Sequence, residues 1–210
     1  MEGEVLLPLS AEEPEVTAPG YVERIRNPMA PIRVSDPRSE CFVYLEGGPA
    51  DEDATGSVEK AVLELGSASF KLPVLPVVAG TTVEIRNVGK RTHPLYSPEQ
   101  ADVGEGPPMG PGGVRTFTPK TQSGATHLRS KESLHAETRI VALPTRYFAR
   151  LGRDGSFSIP KVPQGKWSVR IWVRDGFLPS NQYIDVTNRP SKTQITLPER
   201  LPAAAPGAGK

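Results

Sequence analysis

Apolar and polar residues alternate with a period of two along most of the chain, and no stretch sustains the 3.6-residue period of an amphipathic helix. The alternation predicts strands over 41–46 (CFVYLE), 61–65 (AVLEL), 81–87 (TTVEIRN), 114–118 (VRTFT) and 138–143 (TRIVAL). Four more follow over 155–159 (GSFSI), 167–173 (WSVRIWV), 183–186 (YIDV) and 193–197 (TQITL). The segments between them read as loops. Residues 46–56 (EGGPADEDATG) are acidic and carry Gly and Pro. Residues 97–113 (SPEQADVGEGPPMGPGG) form a long Gly/Pro-rich connection, a length that marks either a functional loop or a mobile crossover between sheets. The acidic residues 1–18 read as a flexible N-terminal arm, and 201–210 as a Pro/Ala/Gly tail.

Composition narrows the class. The 210 residues include 23 Pro and 20 Gly, residues that helix interiors tolerate poorly. An all-β protein is expected. One Cys cannot build a disulfide framework, a Cys-rich zinc site or an iron–sulfur cluster within the chain. No apolar run approaches the roughly 20 residues of a membrane-spanning helix. The net charge of +1 hides an asymmetry: residues 1–114 hold 9 Lys+Arg against 18 Asp+Glu, and residues 115–210 hold 16 against 6. Two halves that fold together would largely cancel these fields, whereas a polarised surface would steer charged partners. The basic residues are scattered along strands and accompany no nucleic-acid motif, so no nucleic-acid partner is expected.

Two turns are legible. Asp154-Gly155 supplies a tight turn between strands, and Pro163-Gln164-Gly165 fits a turn with Pro second and Gly fourth. In the strand that follows, Trp167, Val169, Ile171 and Val173 share the core face. Trp172 falls on the other face between Arg170 and Arg174. An aromatic between two cations is either a partner-binding anchor or a ring capped by Arg stems. Arg170, Trp172 and Arg174 are therefore the candidate partner-binding residues.

Catalytic chemistry finds no foothold. GSASF has the wrong spacing for a nucleophile elbow, and GEGPPMGPGG lacks the Lys-Ser/Thr of a phosphate loop. Ser156 beside Asp154 has no nearby His, and the acidic 51–53 lacks the spaced oxygens of a calcium loop. The protein is expected not to be an enzyme. His93, His127 and His135 are the only histidines, and three imidazoles could hold Zn or Cu(II), but none of their spacings is that of a preformed metal pair.

Residues 70–100 combine an apolar run (FKLPVLPVV), the turn Gly80-Thr81, a strand ending at Asn87, and His93 within HPLYS. Residues 130–167 combine SKESLHAETRIVAL with a Tyr147-Phe148 pair, then Asp-Gly-x-Phe and Val-Pro-x-Gly. These segments resemble a plastocyanin-like subgroup of the cupredoxins, in which a Cys-x-x-His-x-x-Met loop supplies copper ligands. The likeness covers most of residues 20–197. It places His93 at the first ligand, Ser130 at the Cys, Ser133 at the second His and Ala136 at the Met. A blue-copper centre needs two imidazoles, a thiolate and a weak axial ligand. Only His93 survives, so neither a type 1 copper nor another cofactor is expected. Cys41, in an alternating strand beside Phe42, reads as a buried small hydrophobe.

The Asp-Gly-x-Phe and Val-Pro-x-Gly turns, with residues 20–48, also resemble the carboxypeptidase regulatory-like, or transthyretin-like, β-sandwich. Together the two likenesses imply a cupredoxin-like Greek-key unit at 58–146 inserted into a discontinuous sandwich of 20–50 and 148–199. The function they imply is a non-enzymatic structural or interaction subunit, with protein partners in a larger exported bacterial assembly, periplasmic or extracellular, and with peripheral membrane association left open. The alternatives are a copper-binding electron carrier and a carbohydrate-binding module. Against the latter stands an aromatic content of only 6%.

Overall fold

Continuous apolar stretches in β-proteins mark strands covered on both faces, and the segment that opens at Cys41 is one of these. In the computed structural model of the chain, described over residues 2–6, 40–49, 60–120, 125–152, 154–173, 176–178, 182–187 and 192–196, every long element is a strand. The protein is all-β, and among the described residues no helix is long and apolar enough to cross a membrane.

The strands from residue 61 to 143 build one sandwich. Its first sheet has the order β3 (Ala61–Leu65), β5 (Val83–Asn87), β7 (Val114–Phe117). Its second has the order β4 (Val74–Val78), β9 (Ser133–Leu143), β8 (Ala125–Ser130), β6 (Leu95–Tyr96). The pairs β3–β5 and β4–β9 are parallel, and β5–β7, β8–β9 and β6–β8 are antiparallel. Leu63, Leu65, Val83 and Ile85 of the first sheet meet Leu95, Leu128, Ala136 and Ile140 of the second in one core.

The second sandwich is assembled from both ends of the chain. β2 (Cys41–Glu46) lies between β10 (Phe148–Arg150) and β12 (Gly165–Val173). β13 (Gly176–Leu178) and β14 (Tyr183–Val186) both pair with β12. A further sheet runs β11 (Ser156–Ser158), β1 (Glu2–Leu6), β15 (Lys192–Thr196). The core holds Cys41, Val43 and Leu45 with Phe157, Ile159, Trp167, Val169 and Ile171.

A third apolar cluster joins the two. Phe42, Tyr44 and Trp172, on the outer face of the β2–β12 pair, pack with Val74, Val141 and Leu143 of β4 and β9. β2 is thus buried on both sides, which explains its unbroken apolar run from Cys41 to Leu45.

Several expectations change at this level. Glu2–Leu6 is not part of a free arm: its backbone pairs in parallel with β15 and antiparallel with β11, while residues 7–18 and 201–210 lie outside the described residues. Nor is the 97–113 connection a loose crossover. It carries a 3-10 turn at Ala101–Gly104 whose Val103 is fully buried. Gln100 Nε2 donates to the Thr118 carbonyl at 3.0 Å, and the Arg115 guanidinium donates to the carbonyls of Val103 and Pro107 at 3.0 and 2.6 Å. β8 escapes the hydrophobic pattern because its inward face is partly polar: Thr126 and Ser130 are buried on either side of Leu128.

The turns behave as their chemistry requires. Thr81 N–H closes on the Val78 carbonyl at 3.0 Å, with Gly80 at φ +85 as a type II turn demands of its third residue. Asp154 Oδ1 accepts from Ser156 N–H at 3.0 Å and Ser156 Oγ at 2.7 Å, holding the Gly152–Ser156 turn beside Gly155 at φ +83.

Candidate functional site

Asn87 closes β5 and organises the end of the first sandwich. Its Nδ2 lies 2.8 Å from the Arg91 carbonyl and 2.9 Å from those of Met109 and Gly110. Its Oδ1 accepts from Gly89 N–H at 3.0 Å. Its backbone donates to Gly113 and accepts from Gly112, each at 2.9 Å. One buried side chain therefore ties the loop leading to His93 to the loop around Met109. An amide suits the task because it offers donors and an acceptor together.

His93 is held by this clamp. Its backbone N–H donates to Met109 O at 3.0 Å, and Met109 N–H donates back to His93 O at 2.9 Å. In the turn after β8, Lys131 N–H reaches the Pro94 carbonyl at 2.9 Å. The imidazole is 1% exposed. Its Nδ1 lies 3.2 Å from Ser130 Oγ, and Nε2 has no hydrogen-bond partner of good geometry. Burial pushes the imidazole below its ordinary pKa, aided by Arg91, against the opposing pull of the Gly66 backbone and Glu132. The ring is accordingly neutral at pH 7.

The donors around His93 do not fit a blue-copper ion. Ser130 presents a neutral hydroxyl where a thiolate would be needed. Ala136 is fully buried with only a methyl group to offer, and Ser133 Oγ donates to the Ala68 carbonyl at 3.0 Å. Cys41 belongs to the core of the other sandwich, beside Val43 and Val173.

The three histidines are not brought together. Leu128 and Ala136 point into the core around His93, so their strand neighbours His127 and His135 project from the opposite face of the sheet. His127 Nδ1 meets Glu99 Oε1 at 2.7 Å, and its N–H reaches the other oxygen at 3.0 Å. Burial acts to raise the Glu99 carboxyl, but these hydrogen bonds outweigh it and leave the group below the usual range. Among the described residues no group of three or more His, Cys, Asp or Glu could hold a metal. Strand parity thus separates the rings.

The expectation for Trp172 is corrected as well. It is 2% exposed, stacked on Phe42 and edge-on to Phe177 with centroids 4.7 Å apart. The face it occupies is covered by β4 and β9 of the same chain, so it cannot anchor a partner there. Arg170 stays half exposed, with Nε donating to Glu46 Oε2 at 3.0 Å. Arg174 lies outside the described residues. Beside the Arg170–Glu46 pair a cleft of about 250 Å³ opens where the two sandwiches meet, between Tyr44, Pro144 and Phe177. Sequence reasoning missed this cleft. Tyr44 and Glu46 share a strand face by their spacing, but their pairing with Arg170 depends on a register no local signal announces.

No protein-family model matches the chain, and no curated protein matches it in sequence.

Proposed function

We propose that the protein is a non-enzymatic structural or interaction subunit of a larger exported bacterial assembly, built on a cupredoxin-like fold that no longer binds copper. The observation that carries this reading is the buried pair His93–Ser130, in which the imidazole Nδ1 faces a hydroxyl at 3.2 Å. A serine hydroxyl is a hard, neutral and poor donor for copper, and Ser133 and Ala136 add nothing to replace the missing ligands. The clamp of Asn87 and the Met109 bridge then serve to fix loops rather than to hold an ion. A second support is the doubly buried β2, which locks two sandwiches into one platform and suits a part whose work is to hold neighbours in place.

The test has two arms. Purified chain is titrated with Cu(II) and followed by visible absorption and electron paramagnetic resonance. The proposal expects no intense thiolate-to-copper band. Native material is then isolated under mild conditions, where stoichiometric protein partners are expected to accompany it. Coloured, stoichiometric copper in the native protein refutes the loss of the metal site, and a solitary monomer refutes the subunit role.

A further inference from the structure

We infer that β14 is the edge by which two copies of this chain pair, antiparallel and about a two-fold axis at Ile184. This goes beyond the subunit role and needs no other protein, and its failure leaves that role standing.

The open edge follows from the ladder. Among the described residues β14 pairs with β12 alone. Val169 N–H donates to the Gln182 carbonyl at 2.9 Å. Hydrogen-bonded and non-hydrogen-bonded pairs alternate in an antiparallel ladder, so Ile184 and Val186 also bond to β12, opposite Trp167 and Gly165. Tyr183 and Asp185 then turn their N–H and C=O groups the other way, toward the side on which no described strand pairs with them. Such a row is a template for a further strand, and Tyr183–Val186 carries neither Pro nor Lys to blunt it. The edge of β4 is different. Arg139 N–H donates to Pro73 O and Ala79 N–H to Leu143 O, which sets Leu75 and Val77 toward β9 and Pro76 toward the open side, where it offers no donor.

The side chains name the occupant. With the axis at Ile184, Tyr183 lies opposite the second copy's Asp185, and Asp185 opposite the second copy's Tyr183. Each of these pairs exchanges both of its backbone hydrogen bonds. Ile184 meets its counterpart in the non-bonded pair at the axis, where Cα atoms approach to about 4.5 Å. Its side chain is half-buried against the core of its own sandwich, so the two isoleucines extend that core across the interface. Tyr183, 74% exposed in the single chain, gains a neighbour on the outer face.

Charge selects this register. On the outer face the row runs Lys166, Asp185, then the second copy's Tyr183 and Ser168, so every carboxylate lies between a cation and a phenol. An axis at Asp185 would set two carboxylates directly opposite each other, which is destabilising. The edge is short, so the dimer is of the weak, concentration-dependent class.

Sedimentation velocity of the full chain at concentrations up to about 1 mM tests this, with a monomer–dimer equilibrium of Kd about 100 µM or tighter expected. Tyr183→Asp sets a carboxylate against the second copy's Asp185 at both symmetric pairs, and should weaken association about 10-fold at unchanged Tm. Asp185→Pro removes an N–H that β12 does not use, and should abolish the dimer with circular dichroism unchanged. Register is read by cross-linking. Bonded pairs hold Cα atoms about 5.5 Å apart, within disulfide reach, whereas like positions are offset by two residues. An equimolar mixture of Tyr183→Cys and Asp185→Cys chains should therefore form an intermolecular disulfide on mild oxidation that neither variant forms alone. Cys41 is buried and does not compete. A chain still monomeric at about 1 mM overturns the assignment. So does a dimer that Tyr183→Asp leaves intact, or a disulfide that forms as readily in either single variant as in the mixture. If the chain alone stays monomeric and Tyr183→Asp abolishes capture of another protein from the native source, the edge belongs to that protein and the two-fold pairing is likewise overturned.

Discussion

The indole of Trp172 lies on the ring of Phe42 with centroids 5.8 Å apart and planes within 9° of parallel. The stack sits at the seam between the sandwiches, where Phe177 closes one edge and Val74, Val141 and Leu143 supply the opposing wall. Closing the seam takes the apolar side chains of this cluster out of water together. Replacing a buried Trp by Ala typically costs about 3–5 kcal/mol through lost transfer energy and the cavity left behind. Trp172→Ala should therefore lower unfolding free energy by about that amount in urea. A variant as stable as the parent would show that the indole is not part of the core.

His93 predicts a pH dependence. Its folded pKa lies below the ordinary 6.5, chiefly through burial, so the unfolded chain binds the proton more readily. Stability then rises with pH between the lowered folded value and 6.5. On acidification it falls from about pH 6.5 down to the folded pKa, and flattens below it. Glu99 acts lower still, where loss of its hydrogen bonds with His127 begins only as the carboxylate is protonated. Denaturation curves at pH 7.5 and 5.5 check the sign: the parent should lose more stability than His93→Gln. Equal losses would remove His93 as the source.

Asn87 offers a cleaner test of the loop clamp. Its side chain is 2% exposed and satisfies carbonyls from two separate loops. Asn87→Ala strands those buried acceptors, at about 1–3 kcal/mol for each group left unpaired. A total near 3 kcal/mol is expected, since some carbonyls will turn to water. Hydrogen exchange should quicken first at residues 88–93 and 109–113. Uniform quickening across both sandwiches would mean that Asn87 supports the whole fold rather than these loops.

Legibility follows side-chain chemistry. β2 and β14 are found at their predicted bounds, because Cys41–Glu46 is densely apolar and Tyr183–Val186 sits between turn residues. β8 was hidden because Thr126 and Ser130 face inward, and a polar inward face erases the alternation that marks a strand. β1 was hidden because Glu2–Leu6 is held by backbone pairing to strands about 150 (β11) and 190 (β15) residues away. The surroundings of Trp172 are illegible locally for a related reason. Its strand shows two different outer faces in succession: Ser168 and Arg170 remain half exposed, while Trp172 passes beneath β4 and β9. Local sequence gives the parity of a residue, but only the packing of a distant sheet decides whether that face is wet. The Arg170–Glu46–Tyr44 cleft was invisible on the same grounds.

The resemblance to copper proteins can be tested by restoring what the chain lacks. Ser130 and Ser133 are paired across the β8–β9 turn, and Ser130 already faces His93 Nδ1. In the variant Ser130→Cys/Ser133→His, a thiolate and a second imidazole would join the first. An axial ligand is long and weak in such centres, so leaving Ala136 in place avoids overpacking a fully buried site. Adding Cu(II) should then produce an intense visible band that the parent chain lacks. The same variant carrying His93→Gln should lose it, because one imidazole and one thiolate cannot define the trigonal site. If the doubly substituted chain folds with unchanged circular dichroism yet stays colourless with copper, His93, Ser130 and Ser133 do not form a vestigial ligand set.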